Sequence, residues 1–166
     1  GVLILGMSVG SSRFNASRTE QILDWLQTHR PDAQLMITDR PAIHNRLALG
    51  ESEADAVKYC LKKGRQLRDY CTLVLNRPGN RMEVFNWDAI YQSSHFAEAL
   101  AEFKLLAKLN TEFHSDVAQQ SRRVLEREAN GRTVSDESVE LAMNYLFEEF
   151  AAIEAFGREL SVPVAY

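Results

Sequence analysis

The sequence predicts one α/β domain built around a parallel sheet, and two local patterns carry that prediction. Residues Val2–Met7 form a continuous apolar run, which is typical of a strand that is buried on both faces, as in parallel sheets. A helical pattern and a second strand, Gln34–Thr38, follow within the first 38 residues. Strand, helix and strand at this spacing form the βαβ unit. The length of 166 residues, with no linker or internal repeat, suits a single domain.

Caps, turns and apolar spacing predict the other elements. Ser17 and Glu20 form a capping-box pattern that opens the first helix, with Ile22, Leu23 and Leu26 on its inner face. Further elements are predicted as a short helix over 41–49, a long helix from Ser52 into the early 70s, a strand near 81–85, helices over 96–109 (through Phe96, Leu100, Phe103, Leu106 and Leu109), over 111–129 and from Ser135, and a last strand over 162–165. The first half therefore supplies most of the sheet, and the second half is mostly helical.

Composition excludes several classes of protein. Apolar residues make up 45% and charged residues 25% of the chain, which excludes a disordered, a collagen-like or a disulfide-rich chain. No apolar stretch reaches the roughly 18 residues of a membrane span. The net charge of −4 hides an asymmetry, because residues 1–80 carry 11 basic and 8 acidic side chains and residues 81–166 carry 8 and 15. An acidic total therefore does not exclude a polyanionic partner.

The two cysteines and the ends of the chain are the sequence features that concern the cellular compartment. Cys60 and Cys71 would be roughly 16 Å apart on one helix, too far for a disulfide. Two unpaired thiols suit a reducing compartment, so we expect a cytoplasmic protein. The chain begins inside an apolar run without an initiator Met and ends as abruptly, so we expect it to be trimmed at both ends.

The first candidate nucleophile follows the first strand. Gly6-Met7-Ser8-Val9-Gly10 matches the G-x-S-x-G pattern, which in α/β-hydrolases presents a nucleophilic serine on a turn between strand and helix. The carboxyl ends of the strands are also where open α/β sheets bind ligands. A plain turn is the alternative interpretation.

A small serine esterase is one functional alternative for this motif. Such an enzyme needs an acid and then a histidine later in the chain. Only His95 and His114 come late enough, and neither lies in a loop that resembles an active site. No Walker A, G-x-G-x-x-G or H-E-x-x-H pattern occurs, so we expect no cofactor and no metal.

A basic ridge is predicted on the long helix. Lys58, Lys62 and Arg65 follow i, i+4, i+7 spacing and share one face, with Arg68 beside them and Lys63 flanking. Such a ridge can bind successive phosphates with an affinity that depends on salt. An ordinary solvated helix face is the alternative structural interpretation. A non-catalytic RNA-binding domain is the second functional alternative.

A phenol and a carboxylate are predicted to share one face of the last helix. Tyr145 and Glu149 are i, i+4 neighbours, whereas Glu148 lies about 100° away around the helix. Side by side, the phenol and the carboxylate could bind and deprotonate an amine. A surface contact between Tyr145 and Glu149 is the alternative.

Together these features resemble the cyclodipeptide synthases, which take two aminoacyl-tRNAs and release a diketopiperazine. The positions that carry the resemblance are Leu5-Gly6-Met7-Ser8 with Phe14, Trp25, the basic ridge, Asn144-Tyr145 with Glu149, and Ser161-Val162-Pro163 with Tyr166. The resemblance implies a Rossmann-like domain with a mostly parallel sheet flanked by helices. That fold is similar to the catalytic domain of class I tyrosyl- and tryptophanyl-tRNA synthetases, without the machinery that uses ATP. Residues 1–166 would form one catalytic domain, and we expect a monomer.

The resemblance also assigns roles by position. Ser8 would accept the first aminoacyl group from tRNA, and Gly6 would leave room beside it. Tyr145 and Glu149 would hold the aminoacyl amine, with Glu149 assisting proton transfer. Tyr166 would match a late tyrosine near the nucleophile. The basic ridge would bind the acceptor arm of the tRNA.

Specificity rests on five further positions by the same resemblance. Ser11 stands third after the nucleophile, where one branch of the family has Asn, and places the chain in the other branch. Ile4, Met36, Trp87 and Ala152 would line the first aminoacyl pocket. The group that deprotonates the serine is left open, with the 3′-terminal hydroxyls of the tRNA as candidates.

Overall fold

The computed structural model describes residues 2–85, 87–160 and 164–165. Within these residues the sheet has four parallel strands in the order β3-β2-β1-β4. Its strands are β1 (Val2–Ser8), β2 (Gln34–Thr38), β3 (Glu83–Phe85) and β4 (Val164–Ala165). This arrangement confirms the predicted α/β fold with a parallel sheet, and it brings the carboxyl ends of all four strands to one edge.

Helices cover both faces of the sheet. They are α1 (Ala16–His29), α2 (Ala42–Ala48), α3 (Glu53–Leu75), α4 (Trp87–Tyr91), α5 (Ser94–Leu109), α6 (Thr111–Glu128) and α7 (Asp136–Leu160). The predicted start of α3 is confirmed, because the Ser52 side chain accepts a hydrogen bond from the Asp55 N–H. The Ser135 side chain likewise accepts from the Ser138 N–H at the start of α7.

The sheet has a hydrophobic core on each face. On one face Met7, Leu35 and Ile37 pack with residues of α1 and α3. On the other face Ile4 and Met36 pack with residues of α4, α5 and α7. Successive strand side chains point to opposite faces, and both faces are covered. This double burial explains the apolar runs Val2–Met7 in β1 and Leu35–Ile37 in β2.

The register of β1 and β2 fixes the geometry of the site. Gly6 pairs with Met36, and Ser8 pairs with Thr38. The two strands therefore end side by side, with Asp39 one residue beyond the edge of β2. Because of the pleat, Ser8 and Thr38 face the same side of the sheet as Ile4 and Met36. That side carries α7.

Two predicted details of the helices are wrong, and one helix was missed. The N-cap of α1 is Asn15, whose side chain accepts a hydrogen bond from the Arg18 N–H at 3.0 Å, so Ser17 lies inside the first turn and does not cap it. On α5, Leu106 and Leu109 are 41% and 77% exposed. Because the helix has 3.6 residues per turn, its buried face passes through Ala107 and not through these two leucines. The one-turn helix α4 was not predicted.

The described residues agree with the predicted state of the cysteines. Cys60 and Cys71 are free, and both are buried on α3. Burial raises the pKa of each thiol to about 11. No helix in the part of the chain that the structure describes combines the length and apolarity needed to cross a bilayer.

Candidate active site

A chain of three hydroxyl groups lies at the carboxyl edge of the sheet. The Oγ atom of Ser8 is 2.6 Å from the phenol oxygen of Tyr145, which α7 brings to this edge. The same phenol oxygen lies 2.9 Å from Oγ1 of Thr38. The Thr38 hydroxyl donates a hydrogen bond to the Met7 carbonyl oxygen at 3.3 Å. The chain ties the ends of β1 and β2 to the middle of α7.

The donors in this chain follow from the number of protons. Each hydroxyl carries a single proton, and that of Thr38 is used on the Met7 carbonyl. Tyr145 therefore donates to Thr38, and Ser8 donates to Tyr145. This arrangement directs the Ser8 proton at the phenol and leaves the lone pairs of the Ser8 oxygen available for attack.

Tyr145 stays a neutral phenol in this environment. Its side chain is 8% exposed, and burial raises the pKa of the phenol well above its usual value, as does the nearby Glu149 carboxylate. The hydrogen bonds with Ser8 and Thr38 act in the opposite direction and do not offset burial. The phenol therefore holds its proton at neutral pH, and Tyr145 contacts the Ser8 hydroxyl as a neutral group.

Glu149 lies one turn after Tyr145 and is also buried, with 5% of its surface exposed. A surface contact between the two residues is therefore wrong as an interpretation. The neighbouring Glu148 faces elsewhere, as the helical angle predicts: it pairs with His44 at 2.9 Å and accepts a hydrogen bond from the Tyr91 hydroxyl at 2.7 Å. A carboxylate and a phenol thus share the buried face of α7, and the phenol contacts Ser8.

The four residues predicted for the first aminoacyl pocket meet in one buried cluster on the α7 side of the sheet. Ile4, Met36, Trp87 and Ala152 are each at most 2% exposed. Gly6 lies between Ile4 and Ser8 on β1 and adds no side chain there. The structure brings these positions together on the sheet face of Ser8, and their contact with a substrate stays a prediction.

The loop after Ser8 holds the predicted branch-defining residue. Ser11 caps the short 3₁₀ turn Ser12–Phe14, with its Oγ accepting a hydrogen bond from the Arg13 N–H at 3.3 Å. Its assignment to a branch of the family stays a prediction. Tyr166 and the segment 161–163, to which the sequence also assigned roles, lie outside the described residues.

The basic ridge divides into exposed and paired members. The side chains of Lys58, Lys62, Lys63 and Arg65 are exposed on α3. Arg68 is half-buried, and its guanidinium pairs with Asp39 at 3.0 Å. Arg68, which was predicted to lie beside the ridge, borders the buried side of α3 and reaches the end of β2. Its contact with tRNA stays a prediction.

Asp39 is the buried centre of a charged cluster that was not predicted. It is 4% exposed and accepts a hydrogen bond from the Arg40 N–H at 2.9 Å, while the Arg40 guanidinium pairs with Asp88 at 2.8 Å. Burial raises the pKa of the Asp39 carboxyl, against the opposing effects of the Arg40 N–H and the Arg68 charge. An aspartate directly after a buried strand was the sequence signal that could have indicated it.

Gly64 makes room for this cluster on α3. A Cβ atom at this position would lie 2.3 Å from Oδ2 and 2.4 Å from Cβ of Asp39. The helix backbone therefore passes directly against the buried carboxylate, and only glycine allows this approach.

The structure gives Ser8 no histidine partner among the described residues. His95 and His114 are 44% and 41% exposed and lie beside Glu98 and Glu140. The partner of the Ser8 hydroxyl is a tyrosine, so the serine-histidine pair that an esterase requires is not formed there. No group of three or more His, Cys, Asp or Glu side chains within the described ranges could hold a metal ion.

Comparison with known proteins identifies the family. The family model for cyclodipeptide synthases matches residues 2–152. A cyclodipeptide synthase from Bacillus thermoamylovorans superposes with a TM-score of 0.83 at 16% identity. The match covers 92% of this chain and 68% of the Bacillus chain. AlbC, a cyclodipeptide synthase from Streptomyces noursei, superposes with a TM-score of 0.75 at 18% identity. The match covers 99% of this chain and 82% of the AlbC chain. No curated protein sequence matches significantly.

A third structure is similar in fold. A Mycobacterium tuberculosis protein, described as showing that cyclodipeptide synthetases are related to type I tRNA synthetases, superposes with a TM-score of 0.78 at 21% identity. The match covers 98% of this chain and 70% of the Mycobacterium tuberculosis protein. At these identities the superpositions establish the fold, whereas the family model covers most of the sequence. The chain belongs to the cyclodipeptide synthase family.

Proposed function

We propose that the protein condenses the aminoacyl groups of two aminoacyl-tRNAs into a diketopiperazine through an aminoacyl-Ser8 intermediate. The observation that carries the proposal is the 2.6 Å contact between the Ser8 and Tyr145 hydroxyls, beside the buried carboxylate of Glu149 and within the fold of this family. The sequence-based expectations of a cytoplasmic monomer without cofactor or metal are kept as part of the proposal.

The first step is an acyl transfer. The Ser8 oxygen attacks the carbonyl carbon of the aminoacyl ester, the new C–O bond forms, and the bond from that carbon to the ribose oxygen breaks. The serine proton ends on the ribose oxygen that leaves, which makes a side-chain base unnecessary for the overall balance. An aminoacyl-tRNA is already an activated ester, so the step consumes no ATP, and the serine splits the condensation into two simpler transfers.

The second step uses the groups on α7. Glu149 and Tyr145 hold the α-amine, and Glu149 accepts its proton as the amine of the second aminoacyl group attacks the acyl-Ser8 ester. This attack breaks the bond from the acyl carbon to the Ser8 oxygen, Ser8 takes the proton from Glu149, and the dipeptidyl group stays esterified to the second tRNA. The free amine of this dipeptidyl ester then attacks its own ester carbonyl, the second amide bond closes the ring, and the ribose hydroxyl of the second tRNA leaves with the proton. This last step is intramolecular and is favoured by proximity. Tyr166 stays assigned to this site by resemblance alone.

The decisive experiment follows both the intermediate and the product. Incubation with a mixture of charged tRNAs is expected to add one aminoacyl mass to the enzyme and to release cyclodipeptides, both detected by mass spectrometry. Ser8→Ala is expected to abolish both signals, whereas Ser17→Ala, an exposed serine on α1, is expected to keep them. A broad amino-acid panel that yields no diketopiperazine, or an adduct that survives Ser8→Ala, would contradict the proposal.

The role of the basic ridge is tested by salt dependence. Lys62→Ala/Arg65→Ala is expected to raise the KM for tRNA and to make that KM less dependent on salt. In a plot of the logarithm of affinity against the logarithm of salt concentration, the slope should fall by about one for each phosphate that the variant no longer neutralises. The deficit is therefore expected to be largest at low salt. Lys104→Ala/Lys108→Ala removes two exposed charges from α5 and is the matched control. Equal effects of the two pairs would place tRNA binding elsewhere.

A further inference from the structure

An open groove lies beside Ser8, between the loop that follows β1 and one face of α3. Its volume is about 390 Å³, with Ser8 and Phe14 among its lining on the loop side. Small-molecule sites commonly have volumes of about 300–1,000 Å³. The Ser8 groove is thus large enough for a nucleoside-sized group and adjoins the proposed nucleophile.

The α3 wall of the Ser8 groove is a distinct face of that helix. Tyr59, Lys63, Gln66 and Tyr70 line it, and their i, i+4, i+7, i+11 spacing places them on one face. Lys62 and Lys63 are adjacent in sequence but point about 100° apart. The helix therefore presents one set of side chains on the basic ridge and another set, including Lys63, to the nucleophile.

The side chains of this wall have the chemistry of a nucleotide site. Tyrosine rings offer flat surfaces on which a base stacks. The Gln66 amide combines a donor and an acceptor, as the edge of an adenine does. The exposed Lys63 ammonium can neutralise one phosphate.

Contacts with neighbouring residues hold the two rings in place. The Tyr70 hydroxyl donates a hydrogen bond to the Ala16 carbonyl oxygen at 3.1 Å, and the Arg46 guanidinium lies 4.3 Å from the centre of the Tyr59 ring. The loop closes against Tyr59 at Gly10, whose φ is +77° and where an added Cβ would meet the Tyr59 hydroxyl at 3.2 Å. Rings that are already fixed lose little conformational entropy when a ligand binds.

The occupant follows from the position of Ser8. In the proposed reaction the carbonyl under attack is esterified to the 3′-terminal ribose, so the terminal nucleoside must lie one ester bond from the Ser8 oxygen. The predicted aminoacyl pocket lies among the buried residues around Met36 and Trp87, and the open space is the Ser8 groove. Because every tRNA ends in adenosine, one occupant suits all substrates.

We propose that the Ser8 groove binds the 3′-terminal adenosine of aminoacyl-tRNA, with Lys63 on the phosphate that joins this adenosine to the preceding nucleotide. The inference rests on the proposed function for the identity of the ligand. It separates Lys63 from the basic ridge, because Lys63 acts at the acceptor end while Lys58, Lys62 and Arg65 act along the arm.

The test measures binding, so that it does not depend on turnover. The affinity of an uncharged RNA minihelix ending in CCA is compared with that of the same minihelix lacking the terminal adenosine, by fluorescence anisotropy. For the wild type, removal of the adenosine is expected to weaken binding about 10-fold or more, since stacking of one base contributes about that much. In Tyr70→Leu the same removal is expected to have a much smaller effect, and Tyr70→Phe, which keeps the ring, is expected to restore it.

Lys63 is tested in the same cycle. Lys63→Ala is expected to weaken binding of the CCA-ended minihelix by several-fold, whereas Lys104→Ala, on the distant helix α5, is expected to leave it unchanged. Lys62→Ala is expected to weaken both minihelices alike, because its contact does not involve the terminal adenosine. Equal responses of Lys63→Ala and Lys104→Ala would overturn the assignment of Lys63.

The outcomes also separate this inference from the proposed function. If the enzyme makes cyclodipeptides but the terminal adenosine adds no affinity, the inference is overturned and the function stands. If no product forms while the adenosine effect and its dependence on Tyr70 persist, the function fails and the groove assignment stands. If Tyr70→Leu changes which amino acids enter the product and leaves the adenosine effect intact, the groove holds the aminoacyl side chain and the inference is wrong.

Discussion

Two polar clusters lie at the same edge of the sheet and differ in charge. At the end of β1, the hydroxyls of Ser8, Tyr145 and Thr38 form a neutral chain. One residue beyond the end of β2, the buried carboxylate of Asp39 pairs with Arg68 from α3. The first cluster joins the sheet to α7, and the second joins it to α3.

The difference indicates a division of roles. A neutral hydroxyl chain can be buried at little cost once each proton has an acceptor, and it leaves the proposed nucleophile, Ser8, uncharged. A buried carboxylate loses solvation and requires a fixed partner. Asp39 therefore ties α3, which carries both the basic ridge and the wall of the Ser8 groove, to the end of β2, whereas in the proposed reaction the hydroxyl chain takes part in the chemistry.

The largest effect should come from breaking the hydroxyl chain. Tyr145→Phe keeps the ring but removes the oxygen 2.6 Å from Ser8, so the serine loses the group that orients it. We expect aminoacylation of Ser8 to slow by about 10²-fold, the scale that misplacement of a catalytic group produces. The measurement is the single-turnover rate of adduct formation by mass spectrometry.

Thr38→Val provides the matched control for this variant. It removes the next hydroxyl along the chain but leaves the contact between Ser8 and Tyr145 in place, so a smaller loss of rate is expected. If Thr38→Val slowed the reaction as much as Tyr145→Phe, the chain would act as a unit, and direct orientation of Ser8 by the phenol would not explain the rate.

An intermediate effect, on stability, is expected from crowding the charged cluster. Gly64→Ala places a Cβ atom 2.3 Å from the Asp39 carboxylate, and overpacking of this kind costs about 1–3 kcal/mol of unfolding free energy. Helix propensity alone predicts the opposite sign, a gain of up to about 1 kcal/mol. Urea unfolding therefore discriminates between the two effects.

Thr72→Ala is a control for Gly64→Ala on the same helix. Thr72 is exposed, and its replacement is expected to change the free energy of unfolding by no more than about 0.5 kcal/mol. Gly64→Ala combined with Asp39→Gly is expected to cost less than the sum of the single variants, because glycine at position 39 removes both the carboxylate and the Cβ atom that the new methyl group would meet. A stabilised Gly64→Ala variant would show that Asp39 can move aside freely.

The sequence sufficed for those parts of the fold and site that depend on local patterns. The apolar runs predicted β1 and β2, and Ser52 predicted the start of α3, because burial and capping act over a few residues. The i, i+4 spacing of Tyr145 and Glu149 predicted their shared face. Ser8 could be selected because a serine at the carboxyl end of a buried strand lies at the edge where open α/β sheets bind ligands.

Contacts between distant segments could not be predicted in this way. The place of Thr38 in the hydroxyl chain depends on the register of β1 against β2 and on the docking of α7, 107 residues away. The pairing of Arg68 with Asp39 depends on the rotation of α3, and a basic residue on a helix has the same local pattern whether it is free or paired. The close approach of Gly64 to Asp39 depends on the rotation of α3 and on its docking against the end of β2.

The smallest effect is expected from the charge of Asp39 itself. Asp39→Asn keeps an acceptor for the Arg40 N–H and removes the titration. Burial raises the pKa of Asp39 in the folded state, so the stability contributed by its protonated form is present below the unfolded pKa and is lost as pH rises through the folded pKa. The unfolding free energy of the wild type, relative to Asp39→Asn, should therefore fall across the acid range and level off above it.

Urea unfolding of both proteins between pH 3 and pH 7 (about the range over which carboxylates titrate) measures this difference, and groups common to both cancel. A relative stability that rises with pH would mean that Arg68 and the Arg40 N–H outweigh the loss of solvation. The charged cluster would then stabilise the fold as well as position α3. The two clusters would differ only in the groups they contain and not in whether they cost stability. A falling curve would instead make Asp39 a carboxylate that is kept at some cost in stability for the placement of α3.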